Sequence, residues 1–185
     1  MKKYAVFLDI DGVFCSHRVQ MGHSCTNHPM WDKFDPVAID FMNKIDELYN
    51  VDFVLMSTWK NHIKHDDPMY FHWINSSFRN AGFRGKFPWP NWKTNPLNDL
   101  DKYNHLNGRA KEVSDYLKEF GPYEDYLLFD DTDYDFNRSL GKKRWIRCSP
   151  EDGLLTKQMK HAMSLMGPWE KKNSALLAYS NNNLV

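Results

Sequence analysis

The chain has 185 residues, enough for one domain with a substantial core, and its 24 basic and 24 acidic side chains cancel. That balance removes the global positive field carried by duplex-binding proteins, although a local basic groove stays open. No apolar run reaches membrane-spanning length, and Met1-Lys2-Lys3 leads straight into an apolar stretch, so a soluble, cytoplasmic protein with no membrane partner is expected.

Residues 4–14 read YAVFLDIDGVF. The run Val6-Phe7-Leu8 predicts a parallel strand buried on both faces, ending in two acids. Side chains two apart share a face of an extended chain, so Asp9 and Asp11 would point together beyond the strand, and Gly12 lets the backbone turn away. Two carboxylates so close repel unless one holds a proton or a cation lies between them, and a hydrated magnesium ion with a phosphate would serve.

Residues 15–34 read as irregular. His17, His23, Cys25 and His28 could bind zinc, but their spacing matches no standard site, and a loop over the mouth of the crevice is the plainer reading. The three cysteines, Cys15, Cys25 and Cys148, are too few and too irregular for a disulfide framework. Asp35-Pro36 is an N-cap followed by proline at the first helical position. Val37, Phe41, Ile45 and Leu48 then recur at helical spacing, predicting a helix to about Asn50.

Residues 52–56, DFVLM, predict a second buried strand, followed by Ser57-Thr58-Trp59-Lys60. A hydroxyl at a strand end can donate to a phosphate oxygen from a rigid position, or can simply be a turn residue. Asp67-Pro68 repeats the cap signature, and the helix it opens stops near Gly82. Phe87, Trp89 and Trp92 follow in a proline-broken segment, and with Tyr70, Phe71 and Trp73 of that helix they would either stack a flat base or close a small core under a long loop.

Asn107-Gly108 reads as a turn, and 109–120 as an amphipathic helix stopped by Gly121-Pro122. Arg109 and Lys111 would then sit in its first turn, where the macrodipole disfavours cations, so they mark either an anion site or plain surface charge. The third apolar run, 126–129, ends in Asp130-Asp131-Thr132-Asp133, a carboxylate cluster whose repulsion a divalent cation would remove. One more short strand at 144–148, a helix at 155–166, a further helical segment at 171–179 and a frayed end complete the reading.

FLDIDGVF resembles the first motif of the haloacid dehalogenase-like (HAD) phosphatases. The strand ending in Ser57 is similar to their second motif, Arg109 or Lys111 to the cation of the third, and LLFDDTD to the fourth, all in the family's order. The finer texture, LDIDGV, VLMSTWK, Arg109 before Glu112-Val113, LLFDDTD and Asp152-Gly153-Leu154-Leu155, resembles the HAD branch associated with Swiss Army knife RNA repair proteins, and that branch favours Arg109 over Lys111. The aromatic segment before Asn107 is this chain's departure from it.

The resemblance implies a three-layer α/β/α Rossmann-like fold with a parallel sheet and a small aromatic-rich cap insertion. The expected organisation is one HAD-like catalytic domain over 1–167, with a loop insertion at 14–34, a cap-like insertion at 60–107, and a tail at 168–185. It also implies a magnesium-dependent phosphomonoesterase. Asp9 would be the nucleophile and Asp11 the proton carrier, while Ser57 and Arg109 hold the phosphoryl oxygens, and Gly12, Thr58, Trp59 and Lys111 lie against the substrate. Mg2+ would be held by Asp9, Asp130 and Asp11 through its backbone carbonyl, with Asp131 or Asp133 in support. The aromatic insertion favours a nucleoside monophosphate or similar small phosphate ester. The alternatives are a phosphatase of DNA or RNA ends, which the charge balance disfavours, and a non-catalytic binding protein that has kept the fold.

Overall fold

The apolar runs form four strands in the computed structural model, which describes residues 3–23, 34–62, 67–95, 105–134, 136–141 and 143–167. These are β1 (Lys3–Leu8), β2 (Asn50–Leu55), β3 (Asp125–Asp130) and β4 (Trp145–Arg147). The helices among the described residues are α1 (His17–His23), α2 (Pro36–Leu48), α3 (Pro68–Asn80), α4 (His105–Phe120), α5 (Phe136–Ser139) and α6 (Thr156–Met166). All strand pairs are parallel, in the order β2-β1-β3-β4.

Strand alternation divides the core in two. Val6, Leu8, Phe53, Leu55, Leu127 and Phe129 face a cluster completed by α2, α3 and α6. Ala5, Phe7, Val54, Met56, Tyr126 and Leu128 face the other way, onto Ala110, Val113 and Tyr116 of α4 and Phe136 of α5. With apolar side chains covered on both faces, the sheet is the middle of three layers, as expected for runs that are hydrophobic without alternation.

Local capping fixes where two helices begin. The Asp35 carboxylate accepts from Val37 N–H at 3.0 Å with Pro36 at the first position, and Asp67 repeats the device on Met69 N–H at 2.9 Å. Helix α3 ends before Gly82, whose φ of 95° is left-handed. Asn43 of α2 clasps that turn, donating to the Gly82 carbonyl at 2.9 Å and accepting from Arg84 N–H at 2.6 Å.

Two helical segments depart from expectation. The stretch after Cys15 contains α1, whose leading His17 and Arg18 N–H groups donate to the carbonyls of Pro150 and Glu151, both at 2.9 Å. A distant loop thus satisfies the first two N–H groups of this helix, while the Ser16 hydroxyl oxygen just before it accepts from Val19 N–H at 3.4 Å. Helix α4 begins at His105 and takes in Asn107-Gly108, a tolerable cost of about 1 kcal/mol for one interior glycine. Arg109 and Lys111 therefore lie beyond its first turn. The expected helix at 171–179, and Cys25 and His28 of the zinc-capable set, fall outside the described residues.

Phe78, Phe83 and Phe87 pack on one another and reach Phe14 and Phe53, extending the sheet's core under the segment after β2. Phe87 and Trp92 are buried and Trp89 is 49% exposed, so most of this aromatic segment is core. The chain leaves β1 for one side of the sheet at β2 and returns on the other at β3. The crevice beyond the carboxyl ends of β1 and β3 is therefore the topological switch point, where open α/β sheets hold ligands.

Candidate active site

Strands β1 and β3 deliver their acids to that crevice together. Asp9 N–H donates to the Phe129 carbonyl at 2.9 Å, and Cys148 N–H donates to the Asp130 carbonyl at 3.0 Å, so backbone pairing sets both residues. Asp9 and Asp130 are buried, and one carboxylate oxygen from each of Asp9, Asp130 and Asp131 lies within 4.8 Å of the others. Asp133 is exposed and, among the described residues, is not part of this group.

Arg109 is the cation that meets them. Its Nη1 lies 2.7 Å from Asp130 Oδ2 and 3.3 Å from Asp9 Oδ2, and its guanidinium stands 4.5 Å from the centre of the Tyr134 ring. Burial works against the charge on Arg109, but Asp9 and Asp130 outweigh it and hold its pKa above the ordinary value. The Ser57 hydroxyl, at the end of β2, donates to the Asp9 carboxylate, as does Ile10 N–H.

One guanidinium does not offset three carboxylates. Burial pushes the Asp9 carboxyl up from 3.8 against the opposing pull of Arg109, the Ser57 hydroxyl and Ile10 N–H, and Asp131 adds to the rise. Burial, then the Asp9 charge, pushes the Asp130 carboxyl up to about 7. Two net negative charges on oxygen-only ligands suit a small, hard divalent cation, so Asp9, Asp130 and Asp131 could hold one.

Asp11 stands apart from this group. Its side chain is exposed, and its Oδ2 accepts from the Trp59 indole Nε1 at 2.9 Å. Gly12 takes a φ of 70°, and a Cβ there would come within 2.7 Å of the Asp131 Cβ and still closer to its carboxylate. Glycine is required both for the turn and for the approach of the β1 loop to Asp131. Gly12→Ala is expected to cost about 1–2 kcal/mol for the left-handed backbone and about 1–3 kcal/mol for overpacking. Thermal melts and a divalent-cation titration would show a lower Tm together with weaker binding.

Lys111 lies elsewhere. Its Nζ pairs with Asp115 at 2.6 Å on the exposed side of α4, so of the two basic residues offered by the sequence it is Arg109 that reaches the acids. Thr58 is exposed at the start of a single 3-10 turn, Thr58–His62.

Two contributors carried no expectation. Lys60, 2% exposed, donates to Glu112 at 2.8 Å and to the Met56 carbonyl at 3.2 Å, and Thr94 donates its hydroxyl to the same Glu112 oxygen at 2.8 Å. Burial lowers the Lys60 pKa against the pull of Glu112. This pair ties the end of β2, which carries Ser57, to α4, which carries Arg109, and removing either partner would strand the other in the interior. The available signal was Glu112, one turn from Arg109 on the same helix face.

A family model described as the HAD domain in Swiss Army Knife RNA repair proteins matches residues 5–159, a span that contains the whole of this crevice. The chain belongs to this family. No curated protein and no solved structure matches it. The matched span includes Asp9, Asp11, Ser57, Arg109 and Asp130. No helix among the described residues is long and apolar enough to cross a membrane.

Proposed function

We propose that the chain is a magnesium-dependent phosphomonoesterase that works through an aspartyl phosphate on Asp9, with a nucleoside monophosphate or a similar small phosphate ester as substrate. The observation that carries this reading is a buried Asp9 flanked by Ser57 and Arg109, with Asp130 and Asp131 beside it and a second carboxylate, Asp11, two residues on. A binding module has no use for a proton carrier next to a nucleophile.

Asp9 attacks phosphorus in line, and the ester P–O bond breaks as Asp11 gives its proton to the leaving oxygen. Water then attacks the phosphorus of the aspartyl phosphate, passing a proton back to Asp11, and Asp9 is released as a carboxylate. General acid–base catalysis of this kind contributes about 100- to 10,000-fold. Ser57 and Arg109, which face Asp9, hold the equatorial oxygens where charge gathers. Asp9, Asp130 and Asp131, with the Asp11 carbonyl, would hold Mg2+, which when bound neutralises the phosphate oxygens and the acids around it. The 60–107 segment would act as the cap, and the domain would extend over 1–167.

The test is phosphate release from nucleoside 5′- and 3′-monophosphates, a generic aryl phosphate and a 5′-phosphorylated oligonucleotide, with Mg2+ or chelator. A mononucleotide preference that chelator abolishes is expected. The RNA repair proteins named in the family description favour a second reading, a phosphatase of strand ends, and preference for the oligonucleotide would select it. No magnesium-dependent release from any of them would overturn both.

Metal binding should also depend on pH with a definite sign. In the metal-free fold Asp130 titrates near 7, above its ordinary 3.8, so its stabilising proton is fully present at low pH and lost as pH rises through 7. Protons and Mg2+ compete for these oxygens. The gain in Tm on adding Mg2+ is therefore expected to be larger at pH 8 than at pH 5.5, and equal gains would contradict the assignment of Asp130 as a ligand.

A further inference from the structure

We infer that Trp59 is a positioning residue for Asp11, through which helix α3 sets the direction in which the proton carrier faces. The inference rests on the hydrolase reading above and adds to it a residue outside the reacting groups.

An exposed aspartate ordinarily samples several rotamers, and a proton carrier that does so spends much of its time misaligned. Asp11 is exposed, yet its Oδ2 accepts from Trp59 Nε1 at 2.9 Å. The indole N–H is a donor only. A proton on Oδ2 would set donor against donor, so protonated Asp11 carries its proton on Oδ1. The ring thus selects both the orientation of the carboxyl group and the oxygen that is free to serve the leaving group.

The ring is itself held. It stacks on Trp73 of α3, with centroids 6.2 Å apart and planes 21° from parallel, and Trp73 stacks in turn on Tyr70 at 5.3 Å and 23°. Phe34 packs against Trp59 at 6.3 Å. The Tyr70 hydroxyl donates to the Trp59 carbonyl, while Trp59 N–H reaches the Ser57 hydroxyl oxygen at 3.4 Å. One residue therefore touches the donor beside the nucleophile through its backbone and the proton carrier through its side chain, and both contacts are braced by the helix that opens the aromatic segment.

The experiment uses leaving-group dependence, which a merely structural role would not move. An ester of an acidic phenol, such as p-nitrophenyl phosphate, leaves without much protonation, whereas an alkyl phosphate such as glycerol 2-phosphate needs it. Trp59→Phe keeps an aromatic ring and removes the N–H. It is expected to lower kcat on the alkyl ester by about 10- to 100-fold with little change in KM, and on the aryl ester by less than about threefold. In an Asp11→Asn background the same change should have no further effect, since the two residues act as a unit. Equal losses on both esters, or a further loss on top of Asp11→Asn, would overturn the inference. Should Trp59→Phe melt below the assay temperature, β-benzothienylalanine at position 59, which replaces the N–H by sulfur in a ring of the same shape, gives the same readout. Wild type that cleaves neither ester would instead count against the hydrolase reading.

Discussion

Asp9→Asn is expected to abolish phosphate release, by at least about 10,000-fold, without destabilising the metal-free protein. The first half follows from the loss of the attacking oxygen, because the amide cannot form the aspartyl phosphate. The second follows from burial and crowding. Asp9 is buried beside Asp130 and Asp131, and its carboxyl is pushed upward by desolvation, so its charge is costly to the fold. A neutral amide of the same shape relieves that cost, while Arg109 keeps its 2.7 Å partner in Asp130. Phosphate release, read alongside thermal melts in chelator, checks both halves. Retained turnover would remove Asp9 from the nucleophile's role.

Arg109→Met should show the opposite sign in stability. This change leaves Asp9 and Asp130 buried without the cation that lies between them, and breaking such a contact from one side costs about 3–5 kcal/mol. Turnover should also fall by about 100- to 1000-fold, since a donor aimed at the developing charge is lost. The informative comparison is chemical denaturation with and without Mg2+. A divalent cation resupplies positive charge to the same carboxylates, so it should return more stability to Arg109→Met than it adds to wild type. Equal gains would mean that Arg109 and the cation answer to different groups.

The sheet was legible because its strands are buried on both faces and so appear as unbroken apolar runs, each followed at once by polar chemistry. Asp35-Pro36 and Asp67-Pro68 were legible for a different reason, since a cap and a proline act within one turn and need no partner from elsewhere. Helix α1 was not, because its first N–H groups are satisfied by Pro150 and Glu151, far along the chain. The early start of α4 was hidden by Asn107-Gly108, a turn signal that the helix overrides. Site residues followed the same division. Asp9, Asp130 and Ser57 stand at strand ends, where position alone aims them into the crevice. Lys60 and Glu112 find each other only through the packing of α4 on β2, and the bond from Trp59 to Asp11 depends on rings contributed by α3. The aromatic segment could be read either way from composition and is mostly core, with Phe87 and Trp92 buried and Trp89 49% exposed.

The pairing of Phe7 with Leu128 joins neighbours in space that lie far apart along the chain. Asp9 and Asp130 come within reach of one another only after that pairing has formed, so neither strand alone presents the three-carboxylate cluster. Contacts of such long sequence separation close slowly, because a large loop must be ordered before they contribute. The carboxylates are therefore an assembly marker: a cation that needs all three can be captured only once β3 has docked beside β1, and its arrival time in a refolding experiment would report the closing of the sheet's centre.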